Sequence, residues 1–345
     1  MYVMIAAALS LTLTRQIGTL RVSEVGLGTL NLPLDKSTDR NAAEALTTCI
    51  EAGCNFVDTA EAYGFGNSER LTAWAAAQAG VKIGCSEGEL AVATKFAPLP
   101  WRPGAEAVVE ACRASAERLG VKQVPLYQIH FPDLIQPFSA FGIEQRKDDS
   151  YWEGLARCYE LGVAANVGVC NYGPKMTKRV FDFLAERGIP LASNQINFSL
   201  MYRKAVQDTV QECNQLGVPV ISYFPLANGL LSGRYDADSL PKFPKSLTMK
   251  KYIVGGVDGY GVGYVPLLAE LRRVAEARGK SVAAVSINWV ISKGAIPIPG
   301  ARDATMAAQN MDAMGWRLDD RELAALETAA DACGFEFSSG GFKLD

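Results

Sequence analysis

The sequence predicts an α/β protein folded as a (β/α)8 barrel of the TIM-barrel class, and three observations carry that expectation. Eight short apolar, β-branched runs alternate with helical stretches along the 345 residues. Glycine or proline punctuates the joins, at Gly53, Gly80, Gly120, Gly162, Gly188, Pro190, Gly217, Pro219 and Gly294. The first barrel run passes into Gly26-Leu27-Gly28-Thr29-Leu30-Asn31. It lacks the third glycine and the helix start of an open dinucleotide-binding sheet. A closed barrel, built from ~250 residues upward, suits the length better. One barrel domain over residues 1–345 is expected, its core at about 15–331.

Taken in order, a short leading strand alternates Leu11 and Leu13 with Thr12 and Thr14. Barrel strands are expected at 25–28, 56–58, 90–95, 124–130, 164–170, 192–196, 219–223 and 295–298. Helices are expected between them at 42–52, 69–79, 105–119, 151–161, 175–187, 205–216 and 281–292. Two segments are surplus to the pattern: 131–150, and the glycine-rich 235–266 with Gly255, Gly256, Gly259, Gly261 and Gly263. Both read as long loops, and long loops in a barrel are usually functional.

Composition excludes several classes. With 34 Lys+Arg against 37 Asp+Glu, a net charge of −3 and no basic block, the chain has no electrostatic surface for nucleic acid. The charge-free run at 2–14 is shorter than the ~20 residues of a membrane span and lacks the basic start of a secretory signal. The single histidine, His130, rules out multi-histidine metal sites. Eight scattered cysteines without a close pair read as reduced thiols filling the core, with no metal expected.

In a barrel the chemistry sits where strands end. Asp58 ends the second run, Lys95 the third and His130 the fourth, with Tyr63 five positions beyond Asp58. The fifth runs into Cys170-Asn171, the sixth carries Gln195 and Asn197, the seventh ends in Tyr223, and the eighth leads to Gly300 and Arg302. Asp58, Tyr63, Lys95 and His130 are chemically coherent. A phenol exchanges protons poorly at neutral pH, a nearby ammonium lowers its pKa, and a carboxylate keeps that ammonium charged and placed. A histidine beside the phenol orients a carbonyl oxygen. The set suits proton delivery to a carbonyl as hydride arrives. An ion pair and a core histidine are the plainer readings of Asp58–Lys95 and His130.

Four stretches resemble the aldo-keto reductase superfamily: Val57-Asp58-Thr59-Ala60-Glu61-Ala62-Tyr63-Gly64, Ala93-Thr94-Lys95-Phe96, Leu126-Tyr127-Gln128-Ile129-His130, and Ile296-Pro297-Ile298-Pro299-Gly300-Ala301-Arg302. They occur in the family's order over residues 15 to 331, and Gly315-Trp316-Arg317-Leu318 is similar to plant and algal plastid members. The resemblance implies a barrel binding NADP(H) across its C-terminal rim. Tyr63 would be the general acid, Lys95 and Asp58 would tune it, and His130 would orient the carbonyl. Asp58, Cys170, Asn171 and Gln195 would hold the nicotinamide end, Tyr223 would stack on its ring, and Leu226, Asn228 and Gly229 would lie along the pyrophosphate. Gly300, Arg302, Gln309 and Asn310 would take the adenosine phosphate. Cys170 and Phe224 stand where the family commonly has serines, and Met306 where it often has Gln or Arg, so phosphate grip is expected to rest on Arg302.

The expected function is NADPH-dependent reduction of aldehydes or ketones, with Trp101 and Phe131 as apolar walls of the substrate pocket. A small carbonyl substrate is the expected partner, with no nucleic acid, in a monomer or weak homo-oligomer. The cytoplasm, or the plastid stroma after loss of a leader, is the expected location. Two other functions fit the same residues: a cofactor-sensing regulatory subunit, and an aldolase forming a Schiff base at Lys95.

Overall fold

The chain enters its barrel through a two-stranded hairpin that the sequence pattern did not disclose. The structure, a computed structural model, describes residues 14–30, 32–33, 35, 37–134, 146–236, 238–239 and 263–334. Strands β1 (Thr14–Ile17) and β2 (Leu20–Ser23) pair antiparallel, Thr14 opposite Ser23 and Ile17 opposite Leu20. Of the expected leading strand only Thr14 falls in β1, while Leu11, Thr12 and Leu13 lie outside the described residues. The turn is tight against the barrel: Gly18 has φ +54°, and an added Cβ there would meet Asn166 Oδ1 at 2.1 Å. That same oxygen accepts Thr19 N–H at 2.8 Å.

Eight parallel strands follow: β3 (Leu27–Gly28), β4 (Phe56–Asp58), β5 (Ala91–Phe96), β6 (Leu126–Ile129), β7 (Val167–Cys170), β8 (Leu191–Asn197), β9 (Val220–Tyr223) and β10 (Ile296–Pro297). Each pairs with the next in chain order, as β/α units demand. The strand feet run shorter than the apolar runs suggest: Val124 and Ala164 pair only as an isolated bridge below the ladder. Ile17, Leu20 and Val22 of the hairpin pack with Phe56, Ala91, Leu126 and Ala192, residues at the starts of barrel strands. The hairpin therefore plugs the N-terminal end of the barrel and leaves the C-terminal end for chemistry.

The cylinder closes between β3 and β10. Gly26 N–H donates to Pro297 O at 2.9 Å and Gly28 N–H to Pro299 O at 3.0 Å, and Gly28 bridges Gly300. Glycine is required there by contact rather than by turn geometry, since a Cβ on Gly28 would lie 2.6 Å from Ile298 O.

Helices α1 (Arg40–Glu51), α2 (Asn67–Gln78), α3 (Gly104–Leu119), α4 (Asp148–Glu160), α5 (Pro174–Ala185) and α6 (Gln207–Leu216) cover the strands in order. Between β9 and β10 come α7 (Val265–Arg278) and α8 (Val282–Ser292); α9 (Ala304–Met311) and α10 (Asp320–Ala332) follow. Caps set several starts: Asp39 accepts from Ala42 N–H, Ser281 from Ala284 N–H and Asp303 from Met306 N–H. Helices α7, α9 and α10 were absent from the sequence expectation. No helix among the described residues is long and apolar enough to cross a membrane.

Gly28→Ala is expected to lower stability by about 1–3 kcal/mol, because the seam has no room to give. Chemical denaturation monitored by circular dichroism checks this, and an unchanged midpoint would refute the seam.

Candidate active site

Lys95 sits inside the barrel mouth with no exposure to solvent. Its position is set by β5, where alternation turns Thr94 toward the helices and Lys95 inward. Its ammonium donates to Asp58 Oδ2 at 2.6 Å, to Thr59 O at 2.8 Å and to Tyr63 Oη at 3.5 Å. The second Asp58 oxygen accepts Gln195 Nε2–H at 2.6 Å, so one carboxylate links β4, β5 and β8. Burial opposes charge on both partners and lifts Asp58 above the usual carboxylate range, while Asp58, Tyr63 and Cys170 together carry Lys95 above the usual ammonium range. The ammonium is firmly held in its charged form.

Tyr63 lies on the β4–α2 connection, half-buried, with its ring edge-on to His130 at 5.7 Å and 73°. The expected lowering of its pKa is not found. Burial pushes the phenol up to about 12, outweighing the pull of Lys95. The hydroxyl is therefore a proton carrier at neutral pH, suited to donate. His130 follows β6, its main chain fixed by donation to Phe96 O at 2.8 Å. Burial first, then the Lys95 charge, push its imidazole down to about 3, so it is neutral. Nδ1 is buried without a partner among the described residues, so placing the ring proton on Nε2 leaves a bare lone pair inside rather than an orphaned N–H.

A cleft of about 370 Å³ opens over these groups, its floor made by Asp58, Tyr63, His130, Cys170, Asn171 and Gln195. Lys95 stands just behind that floor. Asn171, at φ +63°, donates to His130 O at 2.9 Å and to Cys170 Sγ at 3.1 Å, and accepts Tyr223 Oη–H at 2.7 Å. Burial raises the Cys170 thiol far above its ordinary range, which keeps it neutral beside Tyr63. Tyr223 lines the cleft with Phe224 edge-on at 5.1 Å.

One wall is the turn after β9, where Leu226, Asn228 and Gly229 all line the cleft. Phe224, Ala227 and Asn228 are non-glycine residues in the left-handed region, at φ +51°, +46° and +57°. Such strain clusters where a loop is shaped for a ligand, and left-handed backbone gathers N–H groups into anion-binding concavities. Gly300, Arg302 and Met306 form the far end. Gln309 is exposed and outside the cleft lining, one turn further along α9, and buried Asn310 instead donates to Gly300 O at 3.2 Å. Trp101 is 73% exposed and also outside the lining. Phe131 is outside it too, with its ring 5.7 Å from that of His130.

Several lining residues were missed from sequence: Thr29 and Leu30 after β3, and Arg234 and Tyr235 beyond the β9 turn. Arg234 was legible in principle, as a cation following Ser232-Gly233. Of the two long loops, residues 135–145, 237 and 240–262 lie outside the described residues, including Gly255, Gly256, Gly259 and Gly261. All eight cysteines are free thiols, seven of them buried and Cys85 exposed.

The unfolded chain takes up the histidine proton near ~6.5 and the folded chain does not, so stability falls as pH drops below that value. As the one histidine of the chain, His130 gives a single set of imidazole resonances by NMR. Its midpoint is expected near 3, and one above about 6 would contradict the buried neutral ring.

Comparison with known proteins places the architecture. The aldo/keto reductase family profile matches residues 24–331. A chloroplastic pyridoxal reductase from Arabidopsis thaliana is 37% identical over 327 residues, covering 91% of this chain and 85% of that protein. A D-galacturonate reductase from Fragaria ananassa is 28% identical, with coverage of 91% and 89%. Among solved structures, a glycerol dehydrogenase from Gluconobacter oxydans superposes with a TM-score of 0.75 at 25% identity, over 95% of this chain and 98% of that one. A Bombyx mori aldo-keto reductase in complex with NADP gives a TM-score of 0.67 at 25% identity, over 92% of each chain. The profile spans the barrel from before β3 to the end of α10, and the chain belongs to the aldo/keto reductase family, an oxidoreductase family that works with NADP(H).

Proposed function

We propose that this chain is an NADPH-dependent carbonyl reductase in which Tyr63 delivers the proton. The observation that carries the reading is the chain of contacts from Asp58 through Lys95 to Tyr63, 2.6 and 3.5 Å long, under a cleft that His130 also faces. The nicotinamide group supplies hydride when bound. The residues present fit it. Gln195 has one amide hydrogen left after serving Asp58 and one Oε1 lone pair left after accepting Cys170 Sγ–H at 3.8 Å, and Asn171 Oδ1 has a lone pair left after Tyr223. The Tyr223 ring offers a flat apolar wall, the strained β9 turn offers N–H groups, and Arg234 and Arg302 offer exposed guanidinium groups for phosphate.

In this reading Nε2–H of His130 donates to the substrate oxygen and fixes its direction. Tyr63 Oη–H then gives its proton to that oxygen as the carbonyl carbon is reduced. Lys95 steadies the phenolate left behind, and Asp58 keeps Lys95 charged and aimed. The charged, carboxylate-paired state of Lys95 disfavours the aldolase alternative, which requires a neutral amine. For substrate, the likeness to pyridoxal reductase supports an aldehyde, pyridoxal foremost. Its chloroplastic designation favours the plastid stroma over the cytoplasm.

Tyr63→Phe is expected to cut NADPH-dependent reduction of pyridoxal by ~100-fold or more, with NADPH binding nearly unchanged. Stopped-flow turnover and fluorescence titration check the two halves, and retained turnover would reject the acid assignment. Arg302→Ala is expected to weaken NADPH ~10-fold or more while leaving NADH almost untouched. Equal losses for both cofactors would remove Arg302 from the phosphate site.

A further inference from the structure

Tyr63 precedes a segment that local preference does not hold in place. Gly64, Phe65 and Gly66 are three consecutive residues in the left-handed region, at φ +59°, +53° and +85°, and Phe65 is 96% exposed. A non-glycine residue held there with its side chain in solvent needs fixing from outside the turn. The contact that matters is also marginal. At 3.5 Å the Lys95–Tyr63 approach stands at the outer edge of a hydrogen bond, so a few tenths of an ångström decide whether it exists.

Glu61, two residues before Tyr63, reaches across to the connection after β5. Its Oε1 accepts Ala97 N–H at 2.8 Å, and its two oxygens take the Arg102 guanidinium in a fork at 2.5 and 3.1 Å. Arg102 closes the loop by donating to Ala97 O at 3.3 Å and lies 4.4 Å over the Phe96 ring. Ala97 and Phe96 immediately follow Lys95 in the chain. One carboxylate thus ties the loop bearing the phenol to the strand end bearing the ammonium. On the other side of Tyr63, buried Glu69 accepts Thr94 Oγ1–H at 2.7 Å and Arg118 Nε–H at 2.5 Å. The Glu69 brace belongs to the barrel wall. The Glu61 pair lies nearer the rim and is partly buried, with side-chain exposures of 13% and 25%.

We infer that the Glu61–Arg102 bridge is a positioning device for the reaction: it sets the Lys95–Tyr63 separation and with it the acid strength of Tyr63. This rests on the reading of Tyr63 as the proton donor. The groups facing Tyr63 are Lys95, Asp58, Cys170, His130 and Tyr223. Lys95 is the cation among them, since His130 is neutral. Loosening the bridge moves the phenol away from the one positive charge that faces it among the described residues, so its pKa rises. A donor must be protonated, so activity is lost above its pKa, and a raised pKa carries the alkaline limb of the rate profile to higher pH.

The test is the pH profile of kcat for NADPH-dependent pyridoxal reduction in Glu61→Gln and Arg102→Lys, with Tyr63→Phe alongside. Each bridge variant is expected to lose ~10- to 100-fold in kcat with NADPH affinity within about twofold of the parent. The alkaline limb is expected to move up by about half a pH unit or more. A limb that stays in place overturns the inference, whether kcat is unchanged or falls together with NADPH affinity and the folded fraction. If Glu61→Gln does not fold, Arg102→Lys carries the same readouts. Turnover retained in Tyr63→Phe would instead overturn the donor assignment beneath it; an inactive Tyr63→Phe with unshifted bridge variants removes the bridge alone.

Discussion

Lys95 places a full positive charge in the middle of a protein interior, and the upper half of the barrel is arranged around keeping it there. Removing one partner of a buried pair typically costs about 3–5 kcal/mol, because the charge left behind has lost its water. Asp58 meets most of that demand, Thr59 O adds a second acceptor, and Gln195 holds the far side of the carboxylate. Three strands are thereby locked in register at their C-terminal ends. Burial sets the protonation states across the cleft floor, and the same ammonium adds to its effect on the imidazole and partly offsets it on the phenol.

The hydrophobic architecture serves that charge from below. Ile17, Leu20 and Val22 seal the opposite end against Phe56, Ala91, Leu126 and Ala192, which makes the base of the barrel apolar. A low-dielectric floor strengthens every interaction above it. The β9 turn contributes differently. Its backbone is held in conformations that cost energy without a ligand, which shapes one wall before anything binds.

How much of this was legible in the sequence follows from what each feature depends on. Asp58, Lys95 and His130 stood out because each interrupts an apolar run at a point where a barrel strand ends, a purely local signal. Tyr63 needed the motif around it. The hairpin escaped notice because Gln16, Gly18, Thr19 and Arg21 break the alternation of Ile17, Leu20 and Val22. The sign of the Tyr63 shift escaped too, since it balances burial against a 3.5 Å contact, and neither quantity is local. Gln309 and Asn310 were expected at the adenosine phosphate from the family resemblance. The helix carries one outward and turns the other to brace Gly300. Arg234 lay one residue past the recognisable turn.

The closing seam has a consequence for how long the folded chain lasts. The segments that meet there, Gly28 to Leu30 on one side and Ile298 to Gly300 on the other, also line the cleft. Whatever fills the cleft touches both sides at once and staples the cylinder across its join. Binding to the folded form alone stabilises it in proportion to the logarithm of ligand concentration. A supply of reduced dinucleotide would then do more than feed turnover. It would set the chain's resistance to opening and to proteolysis, tying the amount of enzyme to the availability of its reductant.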